Sequence, residues 1–295
     1  MEAKAKYFDI AANIADDRYK EDIDKVLLRA KKYGVEKLLF AGTHLKDGKE
    51  SHELSLRDPN YYCTAGIHPC RASQYVLDKM SFEDYVAETE KLIQNAKEGK
   101  MIAVGECGLD YDRFKFASKE EQLRVFPIHF DLAMKYKLPI YLHERNTNGD
   151  FCNVVKANRS KFSTGVVHSF TGSIELVKEI VAMDLYIGLT GCSLKTEENL
   201  SVVKEIPLDR LLIETDAPYC TIRPSFPSYK LIKTHFKSSK GKKAVLEEDM
   251  LYRDRNEPCT IVQVAEVVAG VKGVDVNVVA KAAWENTHKV FNLTS

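Results

Sequence analysis

The 295 residues of this chain exceed a typical single domain, yet they lie within the range of an α/β barrel that folds as one unit. The 43 lysines and arginines balance the 43 aspartates and glutamates, which excludes a global positive field that would attract nucleic acid or an anionic membrane. Any polyanionic substrate must therefore be held by local charge.

The cysteines and the apolar runs bear on the compartment of the protein. Seven cysteines without a Cys-x-x-Cys pair argue against a disulfide framework and a zinc knuckle, and they predict free thiols. The N-terminal stretch lacks the apolar run of a signal peptide, and no later run approaches the roughly 18 apolar residues of a membrane span. We therefore expect a protein of the cytoplasm or nucleus that is neither secreted nor embedded in a membrane.

Eight short apolar runs alternate with segments of helical spacing. This alternation is typical of βα units with a parallel sheet, whose strands are buried on both faces. The predicted strands are 6–10, 37–42, 61–66, 101–106, 139–143, 165–170, 185–189 and 211–215. The pattern predicts a (β/α)8 TIM barrel that occupies 1–295 as a single domain.

The segments between these runs carry helix signals. In the first, apolar residues from Ile23 to Ala30 share one helical face and Gly34 is placed to end the helix. Ser118 and Glu121 have the spacing of a capping box, and Pro127 predicts a kink or a late start in the helix that follows. Further helices are predicted at 81–98, 173–182, 197–206, 260–269 and 276–291.

The region at about 221–258 breaks the pattern after the eighth strand. It combines Pro224, Pro227 and serine-rich turns with Lys230, Lys233, Lys237, Lys240, Lys242 and Lys243. These features predict a long, mobile, basic loop inserted into the barrel. We favour the interpretation that its lysines form a solvent-exposed surface without a dedicated ligand, and an arm that binds nucleic acid is the alternative.

Ionisable residues lie at the ends of four predicted strands. Glu106 closes the fourth strand, His143 closes the fifth, His168 lies near the end of the sixth, and Asp216 follows the eighth. Because the strands of a barrel end at one rim, these side chains are expected to meet. Each alone is more often a hydrogen-bonded buried group, but two imidazoles and two carboxylates together suit a divalent ion in open, catalytic coordination. We therefore predict a metal site, with Mg²⁺, Mn²⁺ and Zn²⁺ as candidates.

Catalytic roles are assigned to three residues of this rim. Glu106 acts through the metal, and Asp216 is the best candidate to orient or deprotonate the attacking water. His68, in the loop after the third strand, is either a substrate contact and proton donor or a histidine that binds loop backbone. Asp9, at the end of the first strand, either faces the same pocket or supports it from behind.

Two arginines follow the predicted metal ligands. The guanidinium groups of Arg113 and Arg145 match the geometry of phosphate oxygens, and rim salt bridges with neighbouring acids are the alternative. We favour phosphate binding for both. Aromatic residues between 111 and 116 either stack unpaired bases or seal the mouth of the barrel.

Five segments resemble, in order, the TatD family of metal-dependent deoxyribonucleases. They are GECGLDYDR (105–113), LHERN (142–146), VVHSFTG (166–172), IETDAPY (213–219) and RNEP (255–258). The resemblance spans nearly the whole chain and implies an amidohydrolase-like barrel, of the metallo-dependent hydrolase type. It implies hydrolysis of DNA from the 3′ end, with a preference for single strands, by one or two divalent ions, of which Mg²⁺ is favoured. It also implies metal binding by Glu106, His143, His168 and Asp216, and no obligate protein partner.

The chain departs from many members of that family at the end of the first strand. Where they carry a His-x-His pair, this sequence has Ala11 and Asn13, so it resembles the branch without the pair. Asn13 can still offer a carbonyl oxygen to a second ion. Two rival functions remain: a metal-dependent hydrolase of an amide, lactone or small phosphoester, and a binding or scaffold protein without catalysis.

Overall fold

The computed structural model describes residues 5–95, 99–239 and 250–294, and it confirms all eight predicted strands of the barrel. The strands are β1 (Tyr7–Asp9), β2 (Val35–Phe40), β3 (Tyr61–Ala65), β4 (Met101–Asp110), β5 (Ile140–Arg145), β6 (Gly165–His168), β7 (Tyr186–Leu189) and β8 (Leu211–Ile213). The largest difference is in β4, which was expected to end at Glu106 and continues to Asp110. It continues because its pairing with β5 shifts register between Val104 and Cys107 and then resumes.

The strands form one parallel sheet in sequence order from β1 to β8. A parallel bridge between Ala12 and Ala217, just beyond the ends of β1 and β8, joins the two edges. The Asn13 amide donates to the Ala217 carbonyl at 2.7 Å across the same seam. The sheet therefore closes as a barrel, and the residues that follow its strands share one rim.

Helices follow the strands around the barrel. They are α1 (Ile23–Lys32), α2 (Leu45–Ser55), α3 (Gln74–Leu77), α4 (Phe82–Asn95), α5 (Lys119–Val125), α6 (Ile128–Tyr136), α7 (Asp150–Ala157), α8 (Ile174–Ala182), α9 (Glu197–Glu205), α10 (Ile261–Lys272) and α11 (Val276–Val290). The predicted capping box of Ser118 and Glu121 is confirmed, and Pro127 separates α5 from α6 as expected of a residue that cannot donate to a helix. Residues 96–98, predicted as helix, lie outside the described residues.

Alternate residues of the strands form two apolar layers. One layer packs against the helices, and the other is a separate cluster that includes Phe8, Ile102, Tyr141 and Val166. Because side chains alternate along a strand, His143 lies on the same face as Tyr141 and His168 on the same face as Val166. The barrel interior therefore changes from apolar side chains to imidazoles towards the rim.

The predicted basic loop is partly ordered by contacts with α10. Glu266 accepts hydrogen bonds from the backbone amides of Lys233 and Thr234, and two short parallel strands, β9 (Lys237–Ser238) and β10 (Met250–Leu251), follow. Lys240, Lys242 and Lys243 lie outside the described residues. In the described ranges, no helix is both long and apolar enough to cross a bilayer.

Candidate active site

Glu106 lies inside β4, where the backbone has an unusual course. The preceding Gly105 has φ +137°, and a Cβ at this position would overlap the Tyr141 carbonyl oxygen of β5. The peptide between Gly105 and Glu106 is cis. Only glycine is compatible with this conformation and this close approach, so the residue before Glu106 helps to fix where the carboxylate lies.

Three imidazoles surround the buried Glu106 carboxylate. Its Oε1 atom lies 2.8 Å from His168 Nε2, 3.0 Å from His143 Nδ1 and 3.3 Å from His68 Nε2. His143 and His168 are partners in the register of β5 and β6, which places them side by side. The predicted convergence of Glu106, His143 and His168 is therefore seen in the structure, and His68 joins them.

The charges of this cluster depend on one another. Burial would raise the pKa of Glu106, but the imidazoles of His168, His68 and His143 hold it well below its usual range. Burial would lower the pKa of His168, but Glu106 and Glu214 raise it well above the ordinary value. The carboxylates therefore favour protonated imidazoles, and a bound cation could supply the same positive charge.

Asp216 lines the same cleft, on the side of β8. Burial raises the pKa of its carboxyl to about 6 against the opposing effect of His168. The Asn13 side chain donates to Asp216 Oδ1 at 2.9 Å. Asn13 thus reaches the site from the β1 side, at one of the positions where relatives carry histidine.

The donor set fits a divalent ion. Ligand atoms of His68, Glu106 and His143 all lie within 4.8 Å of one another. In the described part of the chain, the buried atoms His143 Nδ1 and His168 Nδ1 have no hydrogen bond of good geometry, although the carboxylates of Glu106 and Glu214 lie 3.0 and 3.5 Å from them. A buried imidazole nitrogen without a well-aligned partner is costly, and a metal ion can satisfy it. The compact trio contains His68, for which the sequence left two roles open, substrate or proton transfer and binding of loop backbone. Its Nδ1 does accept from the Cys70 amide at 3.0 Å, and its Nε2 faces Glu106.

The two arginines differ in their surroundings. Arg145 Nη1 lies 3.8 Å from Asp110 Oδ2, which also lies 3.2 Å from His143 Nε2. Arg113 is exposed, lines the cleft and forms no ion pair with any described residue. The salt-bridge alternative thus applies in part to Arg145 and not to Arg113.

Phe114 and Phe116 beside Arg113 are 48% and 52% exposed. Side chains that seal a barrel mouth would be buried, so this exposure leaves both rings accessible to a ligand.

Asp9 is not part of the cleft wall. It is fully buried and accepts hydrogen bonds from the Thr215 amide at 2.9 Å, the Thr215 hydroxyl at 2.5 Å and the Ala11 amide at 3.2 Å. These bonds tie β1 to the segment after β8. Asp9 therefore supports the rim from behind and does not face the pocket; these are the two positions that the sequence left open for it.

Two carboxylates of the site were missed by the sequence reasoning. Asp110 bonds His143 on the side away from Glu106, and the fully buried Glu214 lies 3.5 Å from His168 Nδ1. Both orient imidazoles, as carboxylates behind metal-binding histidines do. Asp110 is the last residue of GECGLD and Glu214 is the first of ETDAP, so membership of these two motifs is the signal that would have found them.

A disulfide corrects the prediction that all cysteines are free thiols. Cys192, after β7, pairs with Cys220, after β8, and their Cα atoms are 5.0 Å apart. The other five cysteines form no disulfide. The pairing was hidden because residues 28 positions apart meet only when neighbouring strands end at the same rim.

Comparisons with known proteins agree with this architecture. The profile of the family described as "TatD related DNase" matches residues 8–292. The chain is 37% identical to "Deoxyribonuclease Tat-D" of Schizosaccharomyces pombe, covering 96% of this chain and 94% of that protein. It is 32% identical to "3'-5' ssDNA/RNA exonuclease TatD" of Erwinia tasmaniensis, covering 97% and 100%. The crystal structure of a hydrolase TatD family protein from Entamoeba histolytica superposes with a TM-score of 0.90 at 32% identity, covering 99% of this chain and 100% of the other.

Proposed function

This chain belongs to the TatD family of deoxyribonucleases, and we propose that it hydrolyses phosphodiester bonds of DNA from the 3′ end, with a preference for single strands. The observation that carries the proposal is the placement of Glu106 within 3.3 Å of three imidazoles at the barrel rim. Exposed arginine at the same rim supplies a counter-charge for a polyanion.

Glu106, His143, His68 and His168 would hold the metal, and Asp216 lines the same cleft. A bound divalent ion supplies positive charge for the phosphoryl oxygens and makes water more acidic. Mg²⁺ is the ion that the family resemblance implies, whereas an imidazole-rich set also suits Mn²⁺ or Zn²⁺. On the β1 side, Asn13 offers only an amide carbonyl oxygen, so a second ion would bind less tightly there than the first.

The remaining residues act on water and on substrate. Asp216 orients the attacking water and accepts its proton, with its other oxygen held by Asn13. Arg113 binds a neighbouring phosphate, and Arg145 does so beside Asp110. Action in the cytoplasm or nucleus is supported by the five cysteines that form no disulfide, whereas the Cys192–Cys220 pair is unusual for those compartments.

The decisive experiment compares Glu106→Gln with Glu179→Gln on 3′-labelled and 5′-labelled single-stranded DNA. Glu179 is an exposed partner of Lys156 on the outer surface, so its variant controls for loss of one carboxylate. Each protein is stripped with chelator and assayed with Mg²⁺, Mn²⁺ or Zn²⁺. We expect Glu106→Gln to lose activity by about 100-fold or more with every ion, while the control matches wild type. Glu106→Gln with wild-type activity would refute the proposal.

The same assay separates the rival functions. A hydrolase of neutral amides or lactones would show no salt dependence and no response to Arg113→Ala, because neither matters for an uncharged substrate. A scaffold protein would retain no ion after dialysis at millimolar Mg²⁺ or Mn²⁺, as measured by elemental analysis. Hydrolysis of the DNA with chelator-sensitive kinetics excludes both.

A further inference from the structure

A second cavity adjoins the cleft that contains Glu106. It has a volume of about 780 Å³, compared with about 700 Å³ for the cleft, and Tyr219 and Cys220 line both. Its other walls come from the segment that follows β8 and from residues near the RNEP segment. We call it the arginine groove and define it by Arg18, Tyr219, Arg223, Phe236, Tyr252 and Arg253.

The two cavities differ in their charged residues. Among the described residues, seven carboxylates, four histidines and four lysines and arginines line the cleft, whereas four arginines, one histidine and a single aspartate line the arginine groove. Arg223 and Arg253 are exposed, and the side chain of neither forms an ion pair or hydrogen bond with a described residue. An acidic cleft suits a metal ion, and the adjacent groove suits the anionic backbone of a substrate.

Aromatic rings lie between these cations. Tyr219, at the junction of the two cavities, is half exposed, and the Arg18 guanidinium lies 4.4 Å from its ring centre. Asp16 holds Arg18 through two hydrogen bonds of 2.8 Å, which fixes the planar cation over the ring. The half-buried Phe236 and Tyr252 line the same groove. Flat rings interleaved with guanidinium groups are the combination that binds unpaired bases and phosphates.

The groove is held in shape by buried contacts. Arg255 donates to both oxygens of Asp22 at 2.6 and 2.7 Å and to Glu257 at 2.8 Å. The Asn256 amide donates to the Pro218 carbonyl at 3.1 Å, which ties the RNEP segment to the loop that carries Tyr219. A preformed groove binds a flexible strand without an added cost for ordering the protein.

We propose that the arginine groove binds the nucleotides of a single strand that extend beyond the scissile phosphate. Arg223 and Arg253 contact phosphates, and Tyr219 stacks on the base nearest the cleft. This assignment rests on the proposed nuclease function and specifies how the enzyme holds a chain rather than a single nucleotide.

The test measures binding without catalysis. Fluorescein-labelled oligonucleotides of two and twelve nucleotides are titrated in EDTA with the Arg223→Ala/Arg253→Ala protein, and anisotropy is recorded at several salt concentrations. The control is Arg57→Ala/Lys281→Ala, which removes the same charge from exposed positions remote from both cavities. We expect the Arg223→Ala/Arg253→Ala protein to bind the twelve-nucleotide strand at least tenfold more weakly than wild type. The slope of log K against log salt concentration should be smaller by about 1.4, because two phosphate contacts are lost. The loss for the two-nucleotide strand should be smaller.

A second pair of variants tests the stacking. Tyr219→Phe keeps the ring and should bind nearly as wild type, whereas Tyr219→Leu should bind about tenfold more weakly. A loss equal to that of the control, a loss independent of strand length, or Tyr219→Leu equal to Tyr219→Phe would overturn the assignment.

The groove and the nuclease function can fail separately. If wild type cleaves DNA but the double variant binds the long strand normally, only the groove is wrong. If wild type cleaves nothing yet the length-dependent loss is found, only the nuclease function is wrong.

Discussion

The RNEP segment contributes a carboxylate to a buried cluster of charged side chains, and removal of that carboxylate should lower the free energy of unfolding. Glu257 is fully buried and binds Arg29 through Nε at 2.8 Å and Nη2 at 3.0 Å. Its Oε1 atom also accepts from Arg255 at 2.8 Å. The two guanidinium groups are 3% and 6% exposed, so solvent cannot take over the role of the carboxylate.

The predicted change is Glu257→Gln, which conserves volume and removes the charge. Asp22 then faces two buried cations, and removal of one partner from a buried pair costs about 3–5 kcal/mol of unfolding free energy. For a chain of this size, that corresponds to a fall in Tm of roughly 2 °C per kcal/mol. The control, Glu179→Gln, breaks a pair with Lys156 whose side chains are 45% and 53% exposed, and exposed pairs contribute about 0–1 kcal/mol.

Urea unfolding followed by circular dichroism at pH 7 measures the loss of unfolding free energy for Glu257→Gln and for Glu179→Gln. Thermal unfolding at low and high salt checks both losses. The buried cluster is poorly screened, so salt should change the Glu257→Gln difference little. If Glu257→Gln loses no more stability than Glu179→Gln, the cluster does not stabilise the fold and the reasoning is refuted.

Two further changes test the framework of the site. Burial lowers the pKa of His129 to about 4, and its Nε2 accepts from the Ile67 amide at 2.9 Å. The stability that the neutral imidazole contributes is therefore present above the unfolded pKa of about 6.5 and is lost as the pH falls from there to about 4. In urea unfolding, wild type should lose about 2 kcal/mol more stability than His129→Gln between pH 7 and pH 4.5. Equal acid sensitivity of the two proteins would contradict this. Gly105→Ala should lower both stability, by 2 kcal/mol or more, and DNA hydrolysis, because the added Cβ overlaps the Tyr141 carbonyl. Gly273→Ala, at φ +67° with open space around it, should cost only about 1 kcal/mol and leave hydrolysis intact.

The barrel was predictable because its strands are buried on both faces. Continuous apolar runs such as 139–143 and 185–189 stand out from the amphipathic helices beside them. The end of β4 was not predictable in the same way. Its continuation from Cys107 to Asp110 is buried by contacts with β5, and no local pattern distinguishes it from a loop.

The metal cluster was predictable to the extent that strand ends determine it. Glu106, His143 and His168 follow from the shared rim alone. The partners behind them do not, since Glu214 reaches His168 through the order of β6, β7 and β8 in the closed sheet. The Cys192–Cys220 pair depends on the same closure, which the spacing of two cysteines in sequence cannot reveal.

The side chains around Glu106 are unevenly distributed around the rim. Glu106, His143 and His168 lie in β4, β5 and β6, and His68 lies in the loop after β3, so the imidazoles gather on one side of the barrel. On the other side, where β1 meets β8, Asn13 bonds Asp216. That side is where Tyr219 leads into the arginine groove.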